Sequence, residues 1–294
     1  MKRKRRPSYY RLYEAAHINN SRFLIREART VVKKLGPPYQ RNKRGRPLKL
    51  DPEKAAVLVI VMAAQGRTFR QAEDLGHLLH SEGVDHVTIW RYFTRITTDY
   101  VQHAVQLLFN LLGILQREAL LILDSTGISC DRSGDALKLH VLAAYHPGSG
   151  VLAIARAEVT GFNVHDVTQA ERLLIHGDGG LLLGDAAYDS HRLRVKARRL
   201  GLLPCIKFKR TTAPTKKELA RGFSFDRERY RLRGLVEGVF GGMETRYGNA
   251  TRCRLQGNRE LDVLLKALGH NLRVYMRAKT NEKLLITLIY ETTP

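Results

Sequence analysis

The spacing of apolar residues changes near residue 119, so the chain divides into a helical part and a strand-rich part. In the first part a helix is predicted around Ser21–Leu35, and Gly36-Pro37-Pro38 ends it. Asp51-Pro52-Glu53 is typical of a helix start, with an aspartate cap, a proline at the first position and an acid in the first turn. Residues 55–63 are apolar nearly all round, so we expect this helix to be buried.

Two shorter helices follow, and their arrangement suits a helix-turn-helix. They are predicted at Gln71–Leu79 and Thr88–Ile96, joined through Ser81–His86, with Thr88 as the N-cap of the second. The second helix carries Arg91, which we name as a DNA-contacting candidate because such a helix reads DNA in this motif. A small helical bundle without a DNA-reading role has the same pattern and stays open as the alternative.

Beyond residue 119 the pattern alternates between short apolar runs and amphipathic helices. Strands are predicted at Ala119–Leu123, Leu137–Tyr145, Val151–Val159, Gly180–Gly184 and Leu203–Phe208. Helices are predicted at Asp166–Ile175, Tyr188–Leu200, Tyr230–Tyr247 and Asn258–Arg277. The order predicts an α/β fold with a mixed sheet and helices around it.

Charge points to a polyanionic partner. Lys and Arg number 50 against 28 acids, a net charge of +22, and residues 1–49 hold 16 of the basic residues with only Glu14 and Glu27 as acids. This clustering favours nucleic acid over a ribosome-like or membrane-surface role. Arg44-Gly45-Arg46-Pro47 is similar to the core of a minor-groove-binding arm, so Arg44 and Arg46 are DNA-binding candidates, with a basic linker as the equal alternative.

Several other classes are disfavoured. No stretch approaches 18 consecutive apolar residues, so we expect no membrane span, and the basic start does not resemble a secretory signal. The three cysteines, Cys130, Cys205 and Cys253, stand alone, which disfavours a disulfide framework or a zinc site. A cytoplasmic, nucleoid-associated protein is therefore predicted.

Two predicted strands end in an aspartate, Asp124 and Asp185. Carboxylates delivered at the ends of neighbouring strands meet at the rim of a sheet, and a divalent cation relieves their repulsion. Oxygen ligands alone suit Mg²⁺ or Mn²⁺. The alternative is that each aspartate only caps the turn that follows. A third ligand is not chosen by this logic, and the candidates are Glu218, Asp226, Glu228, Glu237 and Glu244.

Other polar groups have simpler interpretations. Asp166 is predicted to be an N-cap, and Asp189 to start a helix. His140 is expected to have a surface or core role. The predicted helix at Tyr188–Leu200 is dense in cations, which form either a solvated face or a phosphate-binding face; they are Arg192, Arg194, Lys196, Arg198 and Arg199.

The spacing of Tyr230, Arg233 and Glu237 resembles the signature of DDE transposases from bacterial and archaeal insertion sequences. That signature is Tyr, two residues, Arg, three residues, Glu, six residues and then Lys. The stretches 124–126, 161–166 and 184–190 resemble the family as well. The final Lys falls at position 244, which is Glu244 here. Arg246 is a candidate to replace it in contacting DNA, and loss of that contact is the alternative.

The resemblance implies an RNase H-like fold, and the helical pattern before residue 119 predicts an all-helical DNA-binding region in front of it. The resemblance also implies that Asp124, Asp185 and Glu237 are the catalytic residues and hold two Mg²⁺ or Mn²⁺ ions, while Tyr230 and Arg233 contact DNA. The implied activity is cleavage of element ends and strand transfer, by a homo-oligomer acting on double-stranded terminal repeats and target DNA. An endonuclease without strand transfer and an inactive DNA-binding regulator stay open as alternatives.

The expected organisation has four parts. They are a basic arm at 1–50, a helical region at 51–115, the catalytic domain at 119–278 and a tail at 279–294.

Overall fold

The computed structural model describes most of the chain. The described residues are 20–40, 48–114, 119–130, 135–177, 179–209, 216, 219, 222–223, 225–251 and 253–290, without the side chains of residues 20 and 281–290. Arg44 and Arg46 lie outside the described residues, so their DNA-binding role stays a prediction.

Five helices precede the sheet in the described chain: α1 (Asn20–Leu35), α2 (Pro52–Ala64), α3 (Glu73–His77), α4 (His86–Phe93) and α5 (Thr98–Leu111). The start of α2 is as expected, because the Asp51 side chain accepts a 2.8 Å hydrogen bond from the Lys54 amide. Residues 55–62 of α2 are buried, as their apolar character predicts.

The two short helices α3 and α4 are held close together. A Cβ on Gly76 would lie 2.8 Å from the amide nitrogen of Val84, so glycine permits the tight approach of α3 to the segment that leads into α4. Glu73 accepts a 2.9 Å hydrogen bond from the His86 amide. The predicted cap was wrong by three residues: Asp85 caps α4 and accepts a 2.9 Å hydrogen bond from Thr88.

The sheet has six strands in the described chain: β1 (Leu120–Cys130), β2 (Ala136–His146), β3 (Val151–Gly161), β4 (Leu181–Gly184), β5 (Leu203–Ile206) and β6 (Ala250–Thr251). The order is β3-β2-β1-β4-β5, with β6 against the far end of β1. The β1–β2 and β2–β3 pairs are antiparallel, while β4 and β5 are parallel to β1. The predicted mixed sheet is thereby confirmed, and it is consistent with an RNase H-like fold.

The remaining helices follow the strands: α6 (Asp166–Leu173), α7 (His191–Arg199), α8 (Arg227–Tyr230), α9 (Leu235–Tyr247) and α10 (Gln256–Tyr290). Two 3₁₀ turns add to them, at Ala186–Tyr188 and at Arg231–Gly234. The last helix extends well beyond Arg277, where the sequence predicts its end.

Helices cover both faces of the sheet. On one face α6 and α7 pack against alternate residues of β1, such as Leu121 and Leu123. On the other face α10 and α5 pack against β3, and α10 also contacts α1 and α2. The N-terminal helices therefore share a core with the sheet, and the expected domain boundaries stay a prediction. None of the helices in the described chain has the length and apolar content needed to cross a bilayer.

Candidate active site

Asp124 and Asp185 emerge at the same point of the sheet. The parallel ladder between β1 and β4 ends with Leu123 opposite Gly184, and the two aspartates are the next residue on each strand. Neighbouring strands are about 4.8 Å apart, so the two carboxylates lie side by side. One detail differs from the sequence prediction. Asp124 does not end β1, because β2 continues to pair with that strand as far as Ser129.

Asp124 is largely buried and has two partners. Its side chain is 15% exposed; Oδ2 accepts a 2.7 Å hydrogen bond from Arg233, and Oδ1 accepts a 3.0 Å hydrogen bond from the Ser125 amide. Burial raises the pKa of Asp124 and nearby Asp185 adds to this, although Arg233 and the Ser125 amide oppose it. A buried carboxylate beside a second carboxylate is an environment that favours binding of a cation.

Asp185 has the capping role, which was one of its two expected roles. It caps the 3₁₀ turn at Ala186–Tyr188, where Oδ1 accepts a 2.8 Å hydrogen bond from the Ala187 amide. Among the described residues, Oδ2 has no hydrogen-bond donor, so one oxygen of Asp185 is available to a ligand. The two aspartates thus fit a hard divalent cation by the chemistry and proximity of their oxygens.

Arg233 connects the signature segment to the aspartates. Burial alone would lower the pKa of Arg233, but Asp124 raises it, and so do Tyr230, Asp185 and Glu237. All three expected metal ligands therefore lie close enough to influence this one guanidinium. Tyr230 is half-buried, and its ring packs against Phe225 with the centroids 5.1 Å apart.

Glu237 is exposed in the first turn of α9, next to the buried Val236. The predicted single helix at Tyr230–Tyr247 is interrupted, because the 3₁₀ turn at Arg231–Gly234 separates α8 from α9. Within the described residues, no group of three or more His, Cys, Asp or Glu side chains is arranged to hold a metal ion. The role of Glu237 as a third ligand therefore stays a prediction.

Glu244 and Arg246 point to different sides of α9. Glu244 follows Glu237 by seven residues, about two turns, so the two acids share a side of the helix. Arg246 follows Glu237 by nine residues, about two and a half turns, and lies near Tyr247 and Arg273 instead. Arg246 is therefore badly placed to substitute for the missing signature lysine, and any DNA contact that it makes lies elsewhere.

A polar network beside Asp124 was missed from the sequence. The Ser125 hydroxyl donates a 2.7 Å hydrogen bond to Asp166, which also lies 3.5 Å from the Lys138 ammonium and 3.3 Å from Nδ1 of His140. Asp166 was predicted to be an N-cap, but His165 has that position and Asp166 is the first residue of α6. Only its place in the family-like stretch 161–166 signalled a further role.

His140 has the core role that was one of its two expected roles. It is fully buried, and its Nε2 lies 2.9 Å from the Thr160 hydroxyl. Burial lowers the pKa of His140, and Asp166 opposes this effect.

The basic helix α7 is only partly available to a phosphate. Arg194 is 1% exposed and pairs with Asp189 at 2.5 Å, and it donates to the carbonyl of Ile206. The phosphate-binding interpretation is therefore wrong for Arg194, which is a structural residue. Asp189 does not start the helix, because Ser190 caps it.

One face of α4 is open to solvent. Val87, Trp90, Arg91 and Thr94 are exposed at helical spacing, while Ile89, Tyr92 and Phe93 are buried on the other side. Arg91 therefore lies on an accessible face of the second helix of the pair, as a DNA-reading residue requires.

Comparison with known proteins agrees with this geometry. A search among curated proteins found no match to the chain. A family model for the transposase DDE domain matches residues 116–272, which is more than half of the chain and includes the whole sheet and all three expected carboxylates. The chain therefore belongs to the DDE transposase family.

Proposed function

We propose that the protein cleaves the ends of a mobile DNA element and joins them to target DNA, with Asp124, Asp185 and Glu237 as the catalytic, metal-binding residues. The observation that carries the proposal is the pairing of Asp124 and Asp185 at the end of the β1–β4 ladder, contacted by Arg233 of the signature segment. Two Mg²⁺ or Mn²⁺ ions would supply activation of the attacking hydroxyl and stabilisation of the departing 3′-oxygen.

The residues of the chain contribute binding and positioning. Asp124 and Asp185 present oxygen ligands from a rigid sheet, and Glu237 can complete the set from the first turn of α9. Arg233 neutralises Asp124 in the structure, and its planar guanidinium can hold a DNA phosphate when a cation takes its place. Tyr230, at the rim of the same segment, is placed to contact the DNA end.

DNA recognition away from the carboxylates is assigned to Arg91 on the open face of α4, to Arg44 and Arg46 in the basic arm and to Arg246. The partners are double-stranded terminal repeats and target DNA, bound by a homo-oligomer that is associated with the nucleoid.

Replacing Arg91 by Ala should cost about 1–3 kcal/mol in binding to the terminal repeat. The affinity of Arg91→Ala for DNA of scrambled sequence should equal that of the wild type. An equal loss of affinity for the terminal repeat and for the scrambled DNA would contradict a sequence-reading role for Arg91.

The test of the activity is incubation with labelled terminal-repeat DNA and Mg²⁺, followed by analysis of nicked and joined products. Asp124→Asn keeps the shape of the side chain and removes its charge, so cleavage should disappear while DNA binding persists. Asp99→Asn is the matched control, because Asp99 is exposed on α5. Cleavage by Asp124→Asn at the wild-type rate would refute the metal-site proposal, and cleavage without joining would favour an endonuclease.

One observation favours a different function, a DNA-binding regulator without catalysis. Glu244 is exposed on the side of α9 that carries Glu237, so an acid stands where the signature places a DNA-contacting lysine. The same assay distinguishes the two functions, because a regulator binds the terminal repeat with no nicked product at any Mg²⁺ concentration.

A further inference from the structure

Three arginines lie together where α9 and α10 meet the C-terminal end of α2. The Arg273 Nε donates a 2.6 Å hydrogen bond to the carbonyl oxygen of Ala64, the last residue of α2. The Tyr247 hydroxyl lies 3.4 Å from the same oxygen, and the Arg246 guanidinium lies 6.0 Å from the Tyr247 ring centroid. Arg277 is one helical turn beyond Arg273 on α10. We call Arg246, Arg273 and Arg277 the arginine cluster.

The arginine cluster has no acidic partner in the described part of the chain. No described carboxylate is within 4.0 Å of these three guanidinium groups. Burial lowers the pKa of Arg273, and the positive charges of Arg246 and Arg277 lower it further. Like charges gathered in this way repel each other unless an anion joins them.

His270 lies beside the arginine cluster, and the same positive charges affect its pKa. Burial and the charge of Arg246 lower the pKa of His270 to about 4, and Arg277 contributes in the same direction. The Nε2 atom of His270 is buried and has no hydrogen-bond partner among the described residues. The imidazole is thus neutral at pH 7, and within the part of the chain that the structure describes no carboxylate compensates the surrounding arginines.

The arginine cluster is separate from the catalytic carboxylates. Arg246 lies about 13.5 Å beyond Glu237 along α9, at 1.5 Å per residue, and on the opposite side of that helix. Arg277 is exposed, and Arg246 and Arg273 are half-buried, so an anion can reach the cluster from solvent at Arg277. A ligand that contacts both the catalytic carboxylates and the arginine cluster must be extended and carry several negative charges along its length, as a DNA backbone does.

We propose that the arginine cluster is a second DNA-backbone site, in which Arg246 and Arg277 bind a phosphate and Arg273 holds the cluster against α2. The inference rests on the proposed function, since it takes the ligand to be the same DNA that the carboxylates cut. Guanidinium groups bind phosphate oxygens with two parallel hydrogen bonds, and a half-buried setting strengthens them. Arg273 has a structural bond to Ala64, so Arg246 and Arg277 are the residues to test.

The experiment measures binding of a terminal-repeat duplex by fluorescence anisotropy over a series of salt concentrations. The double variant Arg246→Gln/Arg277→Gln should lose about one unit from the slope of log affinity against log salt, because one phosphate contact is lost. Affinity at low salt should fall roughly tenfold or more, as expected for a charged hydrogen-bonded contact. The charge-retaining variant Arg246→Lys/Arg277→Lys should recover most of the slope.

Arg172→Gln is the matched control, because Arg172 is exposed on α6, on the other face of the sheet. This variant should leave the slope of log affinity against log salt unchanged. Thermal unfolding checks that each variant is folded. The single variant Arg277→Gln changes only an exposed residue, so it tests the contribution of Arg277 to DNA binding separately from that of Arg246.

The outcomes separate the two proposals. A wild-type protein that does not bind the duplex overturns both the inference and the proposed function. A double Gln variant with the wild-type slope and affinity overturns the proposed phosphate site at the arginine cluster but leaves the proposed function intact. Loss of cleavage by DNA-bound complexes of the double variant would place these arginines in the catalytic machinery instead.

Discussion

Arg233 donates a 2.7 Å hydrogen bond to Asp124 across 109 residues of sequence, and both side chains are mostly buried. The contact places a cation on the carboxylate that we expect to bind metal. Arg233 and a divalent ion would therefore compete for the same oxygen. Removing one partner of such a pair leaves the other charge buried and uncompensated, and the site must give up this ion pair when an ion binds.

Replacing Arg233 by Gln should make the protein more responsive to Mg²⁺. Without the guanidinium, Asp124 lacks its charged partner, so the metal-free protein should lose about 1–3 kcal/mol of stability. Added Mg²⁺ should then raise the melting temperature more in Arg233→Gln than in the wild type, because no competitor has to be displaced. Thermal unfolding with and without Mg²⁺ measures both effects.

Asp124→Asn is the control for this competition, because it removes the charge for which both cations compete. That variant should show little Mg²⁺-induced change in melting temperature. An Arg233→Gln variant with a smaller Mg²⁺ response than the wild type would show that Arg233 supports metal binding.

The positions of Asp124 and Asp185 could be predicted because local rules determine them. Each follows a short apolar run, and parallel strands deliver their ends to one edge of the sheet. The length of β1 could not be predicted, because the residues after Asp124 are mostly polar and belong to the strand through pairing with β2 and, at the far end, with β6. The assignment of Glu237 came from the spacing of the signature alone. Its proximity to Arg233 follows from that four-residue spacing, whereas its position relative to Asp124 and Asp185 depends on how α9 packs.

Charge patterns were less informative than apolar patterns. Arg194 is part of a basic run, yet it is buried because Asp189 and the Ile206 carbonyl satisfy its guanidinium. The hydrogen bond between Ser125 and Asp166 spans 41 residues, and local sequence rules assign both residues to turns or caps. Such contacts depend on tertiary packing, which a pattern of residue types does not specify.

Asp166 is expected to position Ser125, the strand residue that follows Asp124. Asp166→Ala removes the acceptor for the Ser125 hydroxyl, so we expect single-turnover cleavage to slow by on the order of tenfold. Ser125→Ala should have a similar effect, and the double variant should be no slower than either single variant. Effects that multiply in the double variant would show that Asp166 and Ser125 act independently.

Gly76 tests the packing of the two short helices. Gly76→Ala places a methyl group 2.8 Å from the Val84 amide nitrogen, and we expect a loss of about 1–3 kcal/mol in the free energy of unfolding. Gly257→Ala is the matched control, because a Cβ there meets nothing within 4 Å in the first turn of α10. That control should be neutral or slightly stabilising. Urea unfolding measures both, and equal stability of the two variants would contradict the close approach of α3 to Val84.

Glu244 is the residue by which this chain departs from the signature, and its replacement by Lys tests how that departure affects binding of the terminal repeat. Glu244→Lys exchanges a negative for a positive charge on the side of α9 that carries Glu237, where the DNA end is expected. We expect tighter binding of the terminal repeat and a salt slope steeper by about one unit, because a phosphate contact is gained.

Asp99→Lys makes the same charge change at an exposed position on α5, and it separates a local contact from a general electrostatic effect. Equal gains in the two variants would show that the added charge alone is responsible. A gain in binding by Glu244→Lys without faster cleavage would indicate that Glu244 weakens DNA retention but leaves the reacting carboxylates unaffected. A gain in both would indicate that the acid at position 244 holds the DNA end away from Asp124 and Asp185.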